Sequence, residues 1–355
     1  GRVFMPDYGI TSDAKAALRG FARSIYGSSI VCSAGMSRDL YKYFTSFGDF
    51  FPDRNGVLKK GIIIKVSDYR SAELQGLFLA KRGLWVSEFR IESGLNCGGH
   101  AFATKGKLLG PILQEFKEKR EALYDMLSAE YRRSIESLGL SGSGHPRGFR
   151  ITAQGGIGTA EEDRLLLRYY TLDGTGWGTP FLLVPEAVNL DRAHMEKLAS
   201  AGDDDVFLSD SSPLGIRFWN LYNSASEEAR RRRIAEGRPG SPCRKGYLRF
   251  DTSISSVPLC KASSEYQRRR LELLEKEQLT SERREEERRA IVAKSCICND
   301  LAGAATVPLG IEPEATTAVC CGPNIVNFSR IASLREMIDH IYGRINLMTN
   351  PERPH

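Results

Sequence analysis

The sequence predicts an α/β fold and, within that class, a (β/α)8 barrel of the TIM type. Near-continuous apolar runs such as 61–66 are typical of parallel strands that are covered on both faces. Two consecutive strand–glycine–helix units follow later in the chain, over 150–170 and from 172 onward. Barrels of this kind hold a phosphate with paired units of this type after their last two strands, so the two units favour a barrel.

Five strands are predicted from short runs that are apolar or alternate between apolar and polar residues. Each run is flanked by glycine or polar residues, and a helical pattern separates it from the next run. The predicted strands cover 28–34, 61–66, 84–91, 149–154 and 172–177.

Helices are predicted between these strands, because each segment has apolar residues on one face and a polar residue that can cap its start. Ser12 or Asp13 can cap the first helix, and Ser67 or Asp68 can cap the third. The predicted helices cover 12–26, 37–47, 69–82, 107–138 and 160–170.

The chain is predicted to divide into a barrel domain, 1–205, and a mostly helical, cysteine-containing extension, 206–355. Helices are expected in the extension over 227–236, 266–294 and 333–345. Apolar positions are sparse in the middle of 266–294, so this helix is expected to be solvated and supported by Glu–Arg pairs.

A Gly98-Gly99-His100 sequence follows the strand at 84–91. Paired glycines let the backbone approach a ligand closely, because there is no Cβ in the way. A histidine at this position can act as a base near neutral pH. His100 is therefore a candidate acid/base residue, and the alternative is a histidine that only structures the loop.

The two glycine turns after the last two predicted strands form a candidate phosphate site. Gly155-Gly156 follows one strand and Gly178-Thr179 follows the next. Backbone N–H groups and a helix N-terminus both favour an anion, so a phosphate is expected between the two turns.

These motifs together resemble a known family. The chain contains a strand followed by Gly-Gly-His, then Ala-x-Gly-Gly-Ile at 153–157, then Asp-Gly-x-x-x-Gly-Thr-x-Phe-Leu-x-x-x-Glu at 173–186. This order resembles the nitronate monooxygenase / 2-nitropropane dioxygenase family. That family's relatives include FMN-dependent enoyl-ACP reductases and the enoyl reductases of polyunsaturated fatty acid synthases. The resemblance covers about residues 28–190.

The resemblance implies an FMN-binding barrel in which His100 is the catalytic histidine and the two glycine turns hold the FMN phosphate. The chain departs from the family pattern at three places. Asn96-Cys97 replaces the usual Glu-Ala before Gly-Gly-His, Gly176 stands where glutamine is common, and Pro180 follows Gly-Thr in place of a basic or polar residue.

Lys65 lies near the C-terminal end of its predicted strand, where active sites of barrels are found. A cation there could stabilise the anionic N1–C2=O edge of a reduced flavin. Alternatively, the lysine side chain could simply leave the barrel toward solvent. The residues expected to bind the cofactor are Lys65, Gly98, Gly99, Gln154, Gly155, Gly156, Gly176, Gly178 and Thr179.

The number of strands leads to a further expectation. A barrel of this type has eight strands, and the resemblance makes the Gly-Gly-His strand the sixth. The five predicted strands are then strands four to eight, and the first three would precede Gly1. We therefore expect a barrel truncated at its N-terminus, which by itself would bind FMN poorly.

The favoured function is an FMN-dependent oxidoreductase, acting on a nitronate or an enoyl thioester with His100 as acid or base. An alternative is a flavin-free barrel lyase or isomerase that uses the same turns for a phosphorylated substrate. A third reading is a non-catalytic assembly component whose charged helix, 266–294, binds a partner.

Six cysteines lie outside the barrel match, and four thiolates could hold zinc or an iron–sulfur cluster. The spacing is neither a Cys-x2-Cys knuckle nor a ferredoxin run, so separate structural cysteines are the favoured reading. The candidates are Cys243, Cys260, Cys296, Cys298, Cys320 and Cys321.

The composition is ordinary for a globular protein, with 41% hydrophobic and 26% charged residues. No apolar run is long enough to cross a membrane, so no membrane partner is expected. The formal net charge of +6 is mild, and no recognised nucleic-acid motif accompanies the basic runs. Eight cysteines in 355 residues do not make a disulfide scaffold and suggest a reducing cytoplasm. The chain could form an oligomer.

Overall fold

The central feature of the computed structural model is a sheet of five parallel strands in the order β1-β2-β3-β4-β5. The strands are β1 Ser29–Cys32, β2 Gly61–Val66, β3 Val86–Glu92, β4 Arg150–Gln154 and β5 Gly174–Gly176. The structure describes residues 12–33, 35–53, 55–92, 108–140, 148–215 and 217–349.

The five predicted strands and their parallel arrangement are confirmed. Ile62 and Ile64 are almost fully buried, and the intervening Ile63 is 9% exposed, so β2 is covered on both faces as its apolar run predicts. Within the described residues, β1 and β5 each pair with one neighbouring strand. The fold is therefore an α/β fold with an open parallel sheet in this part of the chain.

Helices alternate with the strands, as predicted. The Ser12 side chain accepts a hydrogen bond from the Lys15 N–H, and Asp68 accepts one from Ser71, so both act as helix caps. These helices are α1 Asp13–Arg23, α2 Arg38–Tyr43, α3 Tyr69–Ala80, α4 Leu109–Ser137 and α5 Ala160–Arg168.

The C-terminal part contains the helices expected over 227–236 and 333–345, further helices, and an antiparallel strand pair that was not predicted. The pair consists of β6 Val206–Ser209 and β7 Phe218–Leu221, with Val206 opposite Leu221. The helices are α6 Arg192–Ala199, α7 Ala225–Ala235, α8 Ser264–Leu274, α9 Ser281–Val292, α10 Ile297–Thr306 and α11 Leu334–Ile341.

The prediction of one continuous helix over 266–294 is wrong, because the segment forms α8 and α9 with a turn between them. Thr280 caps α9 by accepting a hydrogen bond from the Arg283 N–H. The Arg284 guanidinium donates to the carbonyl oxygens of Leu274 and Glu277, at 2.7 and 2.9 Å. A side chain of the next helix thus adds donors to two carbonyls, at the end of α8 and in the turn, that also accept backbone N–H groups.

The described residues form two compact units. The first comprises 12–92, 108–154 and 163–176, and it contains the parallel sheet. The second comprises 155–162 and 177–349, and it contains β6, β7 and helices α6 to α11. The predicted domain boundary after residue 205 stays a prediction.

The core of the first unit is rich in aromatic residues, among them Phe44, Phe89 and Phe116, all fully buried. Helices α3 and α4 approach closely at Gly76, where a Cβ would lie 2.9 Å from the Leu127 side chain. In the second unit, one cluster of buried residues joins α6, β6, β7 and the chain around 319–328; it includes Leu183, Leu198, Leu221, Val319, Cys321, Ile325 and Phe328.

Candidate functional site

The two predicted glycine turns begin where adjacent strands end. Strands β4 and β5 are parallel, and Gln154 aligns with Gly176, so both strands end at the same edge of the sheet. Gly155 and Gly156 follow β4 with φ angles of 86° and 78°. L-residues with a side chain rarely adopt this left-handed conformation, so the backbone requires glycine at both positions.

The N-terminus of α5 is already capped by a carboxylate. The N–H groups of Gly158 and Thr159 donate to Glu162 Oε2 at 2.7 and 3.1 Å, while the Glu162 N–H donates to Thr159 Oγ1. This reciprocal pattern satisfies N–H groups that an anion at the helix N-terminus would otherwise use. A phosphate at this turn would therefore be bound closer to Gly155-Gly156 than to the first turn of α5.

A segment from the C-terminal third of the chain contacts both glycine turns. The Asn324 side chain is 9% exposed, and its Nδ2 donates to the Gly156 carbonyl at 2.7 Å. A Cβ at Gly322 would lie 2.6 Å from Thr179 Oγ1, so the Gly322 backbone packs against that side chain. Both turns and the segment lie in the second unit, which brings the two predicted phosphate turns to one place.

His340 is a second C-terminal residue on the first glycine turn. Its Nδ1 accepts the Leu347 N–H at 3.2 Å, so Nε2 carries the proton and donates to the Gly158 carbonyl at 2.8 Å. Its ring packs edge-on against Trp177, at 6.1 Å between centroids. Because both ring nitrogens are engaged, His340 holds the turn in place and is not an acid/base candidate.

Trp177 supplies an unpaired hydrogen-bond donor beside the second turn. It lies between β5 and Gly178, and its indole Nε1 is buried without an acceptor among the described residues. Buried donors are nearly always paired in folded proteins, so an unpaired N–H indicates a place for a ligand oxygen or a water molecule.

In the first unit, Lys65 forms an ion pair at the sheet edge. Its Nζ lies 3.0 Å from Glu92 Oε2, with side-chain exposures of 29% and 8%. Glu92 ends β3 and aligns with Gln154 of β4. Lys65 thus lies near the C-terminal end of its strand, as predicted, and it pairs with a buried carboxylate.

One face of the sheet is polar along β3. Glu88 accepts hydrogen bonds from the Arg90 side chain at 2.9 Å and from Thr152 Oγ1 at 2.7 Å. Phe89 and Ile91, which alternate with these residues, are fully buried. The alternation of charged and apolar residues over 86–92 predicts the strand, and it is also the sequence signal for this polar face.

The predicted catalytic histidine, His100, and the neighbouring Gly98 and Gly99 lie outside the described residues. Their assignment as acid/base residue and cofactor-binding glycines stays a prediction. At the second turn, Gly178 is exposed and Thr179 begins a short 3-10 helix, Thr179–Leu183. A Cβ at Gly176 would lie 2.9 Å from the Cβ of Gln154, so these two aligned residues pack closely.

The six candidate cysteines differ in their surroundings. Cys260 is buried and Cys243 is half-buried, and both line one cavity of about 490 Å³. Cys321 is fully buried in the apolar cluster of the second unit, and burial raises its thiol pKa to about 12. The adjacent Cys320 is half-buried and takes part in a backbone bridge with Asn220. The Cys296 and Cys298 sulfurs lie 3.8 Å apart. As the described side chains lie, no group of three or more His, Cys, Asp or Glu residues has the arrangement of a metal site.

In the parts of the chain that the structure describes, no helix is both long enough and apolar enough to cross a membrane.

No family model and no curated protein matches the sequence. A solved structure, the enoyl reductase domain of MlnA from the macrolactin biosynthesis cluster of Bacillus amyloliquefaciens, overlaps with 93% of this chain and 84% of its own length. The overlap has a TM-score of 0.45 at 15% sequence identity.

Proposed function

We propose that the chain is an FMN-dependent oxidoreductase of the nitronate monooxygenase / enoyl reductase type, built on a (β/α)8 barrel. One observation carries the proposal. The two glycine turns follow adjacent parallel strands, and one segment, Gly322–Asn324, contacts both of them. This fits a single phosphate site formed by both turns, which is what the order of the motifs in the sequence implies.

The residues at the turns suit a phosphate in three respects. Gly155 and Gly156 have no Cβ to block an approaching anion, and their positive φ angles suit a backbone turn around one. Trp177 Nε1 is a buried donor without an acceptor among the described residues. Asn324 fixes the Gly156 carbonyl and so the orientation of the turn. The Glu162 carboxylate is the opposing feature, because it repels an anion nearby.

In this proposal, His100 holds or moves a proton at the substrate, which is a nitronate or an enoyl thioester. Lys65 provides a positive charge at the sheet edge, and Glu92 fixes its position through their ion pair. When bound, FMN would supply the redox chemistry by accepting or giving a hydride equivalent. The chain's own residues bind the phosphate, orient the ring system, and hold or move the proton.

The test is FMN binding to the purified full-length protein, followed by visible absorbance and titration. The wild type is expected to show the flavin spectrum, and Gly156→Val is expected to lose it, because valine cannot adopt a φ of 78° without strain and would block the phosphate. Gly310→Val is the matched control. Gly310 also has a positive φ, 66°, but it is exposed, and a Cβ there meets no atom within 4 Å.

FMN binding that is lost in Gly156→Val but kept in Gly310→Val supports the proposal. A full-length protein that stays colourless at saturating FMN contradicts it. Binding of a sugar phosphate by such a colourless protein would favour the flavin-free lyase or isomerase.

A further inference from the structure

We propose that Cys296 and Cys298 are a redox-active dithiol pair, which a small organic disulfide oxidises to a disulfide bond between the two residues. The pair needs no flavin, so it is independent of the proposed function. Three features of the second unit support it: the separation of the two sulfurs, the way the backbone around them is held, and the place of each cysteine at the start of α10.

The two sulfurs are already in contact. Cys296 and Cys298 are both free thiols, and their Sγ atoms lie 3.8 Å apart. The Cα atoms of residues two positions apart are separated by at most about 7 Å, and disulfides bridge Cα atoms that are roughly 4.4–6.8 Å apart. Closing the gap to a bond of about 2.05 Å therefore requires changes only within residues 296–298.

The backbone on both sides of the pair is held by buried contacts. Ser295, which precedes the first cysteine, is 1% exposed, and its N–H donates to the Ser211 carbonyl at 2.9 Å. Asp300, two residues after the second cysteine, is 5% exposed, and its carboxylate accepts the Ser226 hydroxyl at 2.6 Å. The segment that carries both cysteines is thus fixed at its two ends, which keeps the sulfurs beside each other.

The two cysteines differ in accessibility and in their position on the helix. Cys298 is half-buried and is the second residue of α10, whereas Cys296 is 5% exposed and lies just before the helix. The N-terminal end of a helix stabilises a thiolate, and a thiolate is the form that attacks a disulfide. Cys298 is therefore the attacking thiol, and Cys296 is the second thiol that completes the ring.

The contact between the sulfurs separates the two thiols further. A hydrogen bond from Cys296 lowers the pKa of Cys298, because a donor stabilises the thiolate. Burial and any negative charge on Asp300, Cys243 or Cys260 act in the opposite direction. The same hydrogen bond raises the pKa of Cys296. Cys296 thus keeps its proton for as long as Cys298 carries a negative charge.

The reaction consists of two thiol–disulfide exchanges. The Cys298 thiolate attacks one sulfur of the organic disulfide R–S–S–R, forms a mixed disulfide, and releases R–S⁻. Cys298 no longer carries a charge, so Cys296 can lose its proton, attack the Cys298 sulfur and release the second R–S⁻. Two protein thiols are oxidised and one organic disulfide is reduced to two thiols. The two protons that the protein loses balance the two that the released thiolates take up.

The product has only one residue between its two cysteines, so its ring is small. The ring includes the start of α10, where the Cys296 carbonyl accepts the N–H groups of Asn299 and Asp300 at 3.1 and 3.0 Å. Strained disulfides are more easily reduced than relaxed ones. The pair therefore suits reversible oxidation, in which a thiol restores the reduced form, rather than a permanent cross-link.

The first experiment treats the reduced full-length protein with excess glutathione disulfide and maps the products by mass spectrometry. Cleavage after Lys294 by trypsin and after Glu314 by a glutamate-specific protease releases peptide 295–314, which contains both cysteines of the pair and no other cysteine. This peptide is expected to lose two hydrogen atoms and to gain no glutathione. A peptide that stays reduced, a stable mixed disulfide, or a bond to Cys243 or Cys260 overturns the proposal.

Single variants test the role of each thiol in the same assay. Cys296→Ser should stop at a mixed disulfide on Cys298, and Cys298→Ser should leave the buried Cys296 unmodified. Cys243→Ser is the matched control, because Cys243 is also a half-buried thiol of the second unit, and it should still close the ring. Glutathione on Cys296 in Cys298→Ser, or loss of ring closure in Cys243→Ser, contradicts the proposed pair.

The second experiment needs no oxidant and measures the rate at which iodoacetamide alkylates Cys298 as a function of pH. In the wild type the midpoint should lie below that of an ordinary cysteine. Cys296→Ala should raise this midpoint, whereas Cys296→Ser should keep it low, because a hydroxyl can still donate to the thiolate. A wild-type midpoint at or above the ordinary value, or the same midpoint in Cys296→Ala as in the wild type, would refute the pairing.

Discussion

The Asn324 side chain donates a hydrogen bond of 2.7 Å to the Gly156 carbonyl, across 168 positions of sequence. This contact fixes the backbone of the first glycine turn from a segment that lies far along the chain but in the same unit. Asn324 is 9% exposed, so the bond is made in a setting where an unpaired carbonyl is costly. The orientation of the proposed phosphate site is therefore set by a residue far from the motif itself.

Replacing Asn324 tests this relationship. Asn324→Ala should lower the free energy of unfolding by about 1 kcal/mol and weaken FMN binding, because the Gly156 carbonyl loses its donor. Asn324→Asp should weaken FMN binding more than Asn324→Ala, because the aspartate has the same shape but carries a negative charge near the phosphate. Urea unfolding and FMN titration give the two quantities.

Asn189→Ala is the control for these variants, because Asn189 is exposed in the same unit. It should leave both the free energy of unfolding and FMN binding unchanged. If Asn324→Asp binds FMN as well as the wild type, the phosphate does not lie beside this turn.

Glu162→Gln should tighten the binding of FMN. The glutamine oxygen can still accept the Gly158 and Thr159 N–H bonds, while the negative charge that opposes a phosphate is removed. The gain should be on the order of 1 kcal/mol, or about fivefold in Kd, since the group is partly solvated. The measurement is FMN titration at low and high salt. An unchanged Kd at low salt would argue against a phosphate near α5.

His100→Ala in the full-length protein should lower turnover by roughly 10²–10⁴-fold while FMN stays bound. The expected cause is the loss of the group that holds or moves the proton. His145→Ala is a useful comparison, since this histidine lies in a Gly-Ser-rich stretch and is expected to leave turnover unchanged. Wild-type turnover in His100→Ala would refute the assignment.

The pair Lys65–Glu92 should contribute to stability through charge compensation. Lys65→Met leaves the carboxylate of Glu92, which is 8% exposed, without its partner at 3.0 Å. The expected loss is about 1–3 kcal/mol in the free energy of unfolding, less than for a fully buried pair because Lys65 is partly solvated. The double variant Lys65→Met/Glu92→Gln should recover part of this loss.

Lys59→Met is the control for the ion pair. Lys59 lies 2.9 Å from Asp49, but the exposures of the two side chains are 55% and 31%, so its loss should be well below that of Lys65→Met. Urea unfolding measures both variants. Equal losses at the two sites would mean that burial of Glu92 does not matter.

The features predicted correctly from sequence are those that depend on neighbouring residues. The five strands follow from local apolar runs, and the caps at Ser12 and Asp68 follow from polar residues at the starts of helices. The Gly155-Gly156 turn follows from a backbone conformation that only glycine adopts easily. These signals lie within a few residues of the structure they determine.

The helix break at 275–280 shows a limit of that reasoning. Charged residues run along the whole of 266–294, and helix propensity alone gives no reason to end a helix there. The break is stabilised by Thr280 at the start of α9 and by Arg284, which donates to the carbonyl of Leu274, the last residue of α8. Each of these contacts needs the turn to exist before it can form.

The sequence by itself determined where the five strands lie in the chain, the glycine turns and the residue types available for an anion. Only the tertiary structure decided that Asn324 and His340 hold the first turn, that Glu162 caps α5, and that the Gln267 side chain links the carbonyls of Lys261 and Lys294. The physical reason is that the two partners of each bond are far apart in sequence, or that the donor has several acceptors within reach. Side-chain hydrogen bonds form wherever the packed chain brings a donor to an unpaired acceptor, and no local sequence pattern specifies which donor and acceptor will pair.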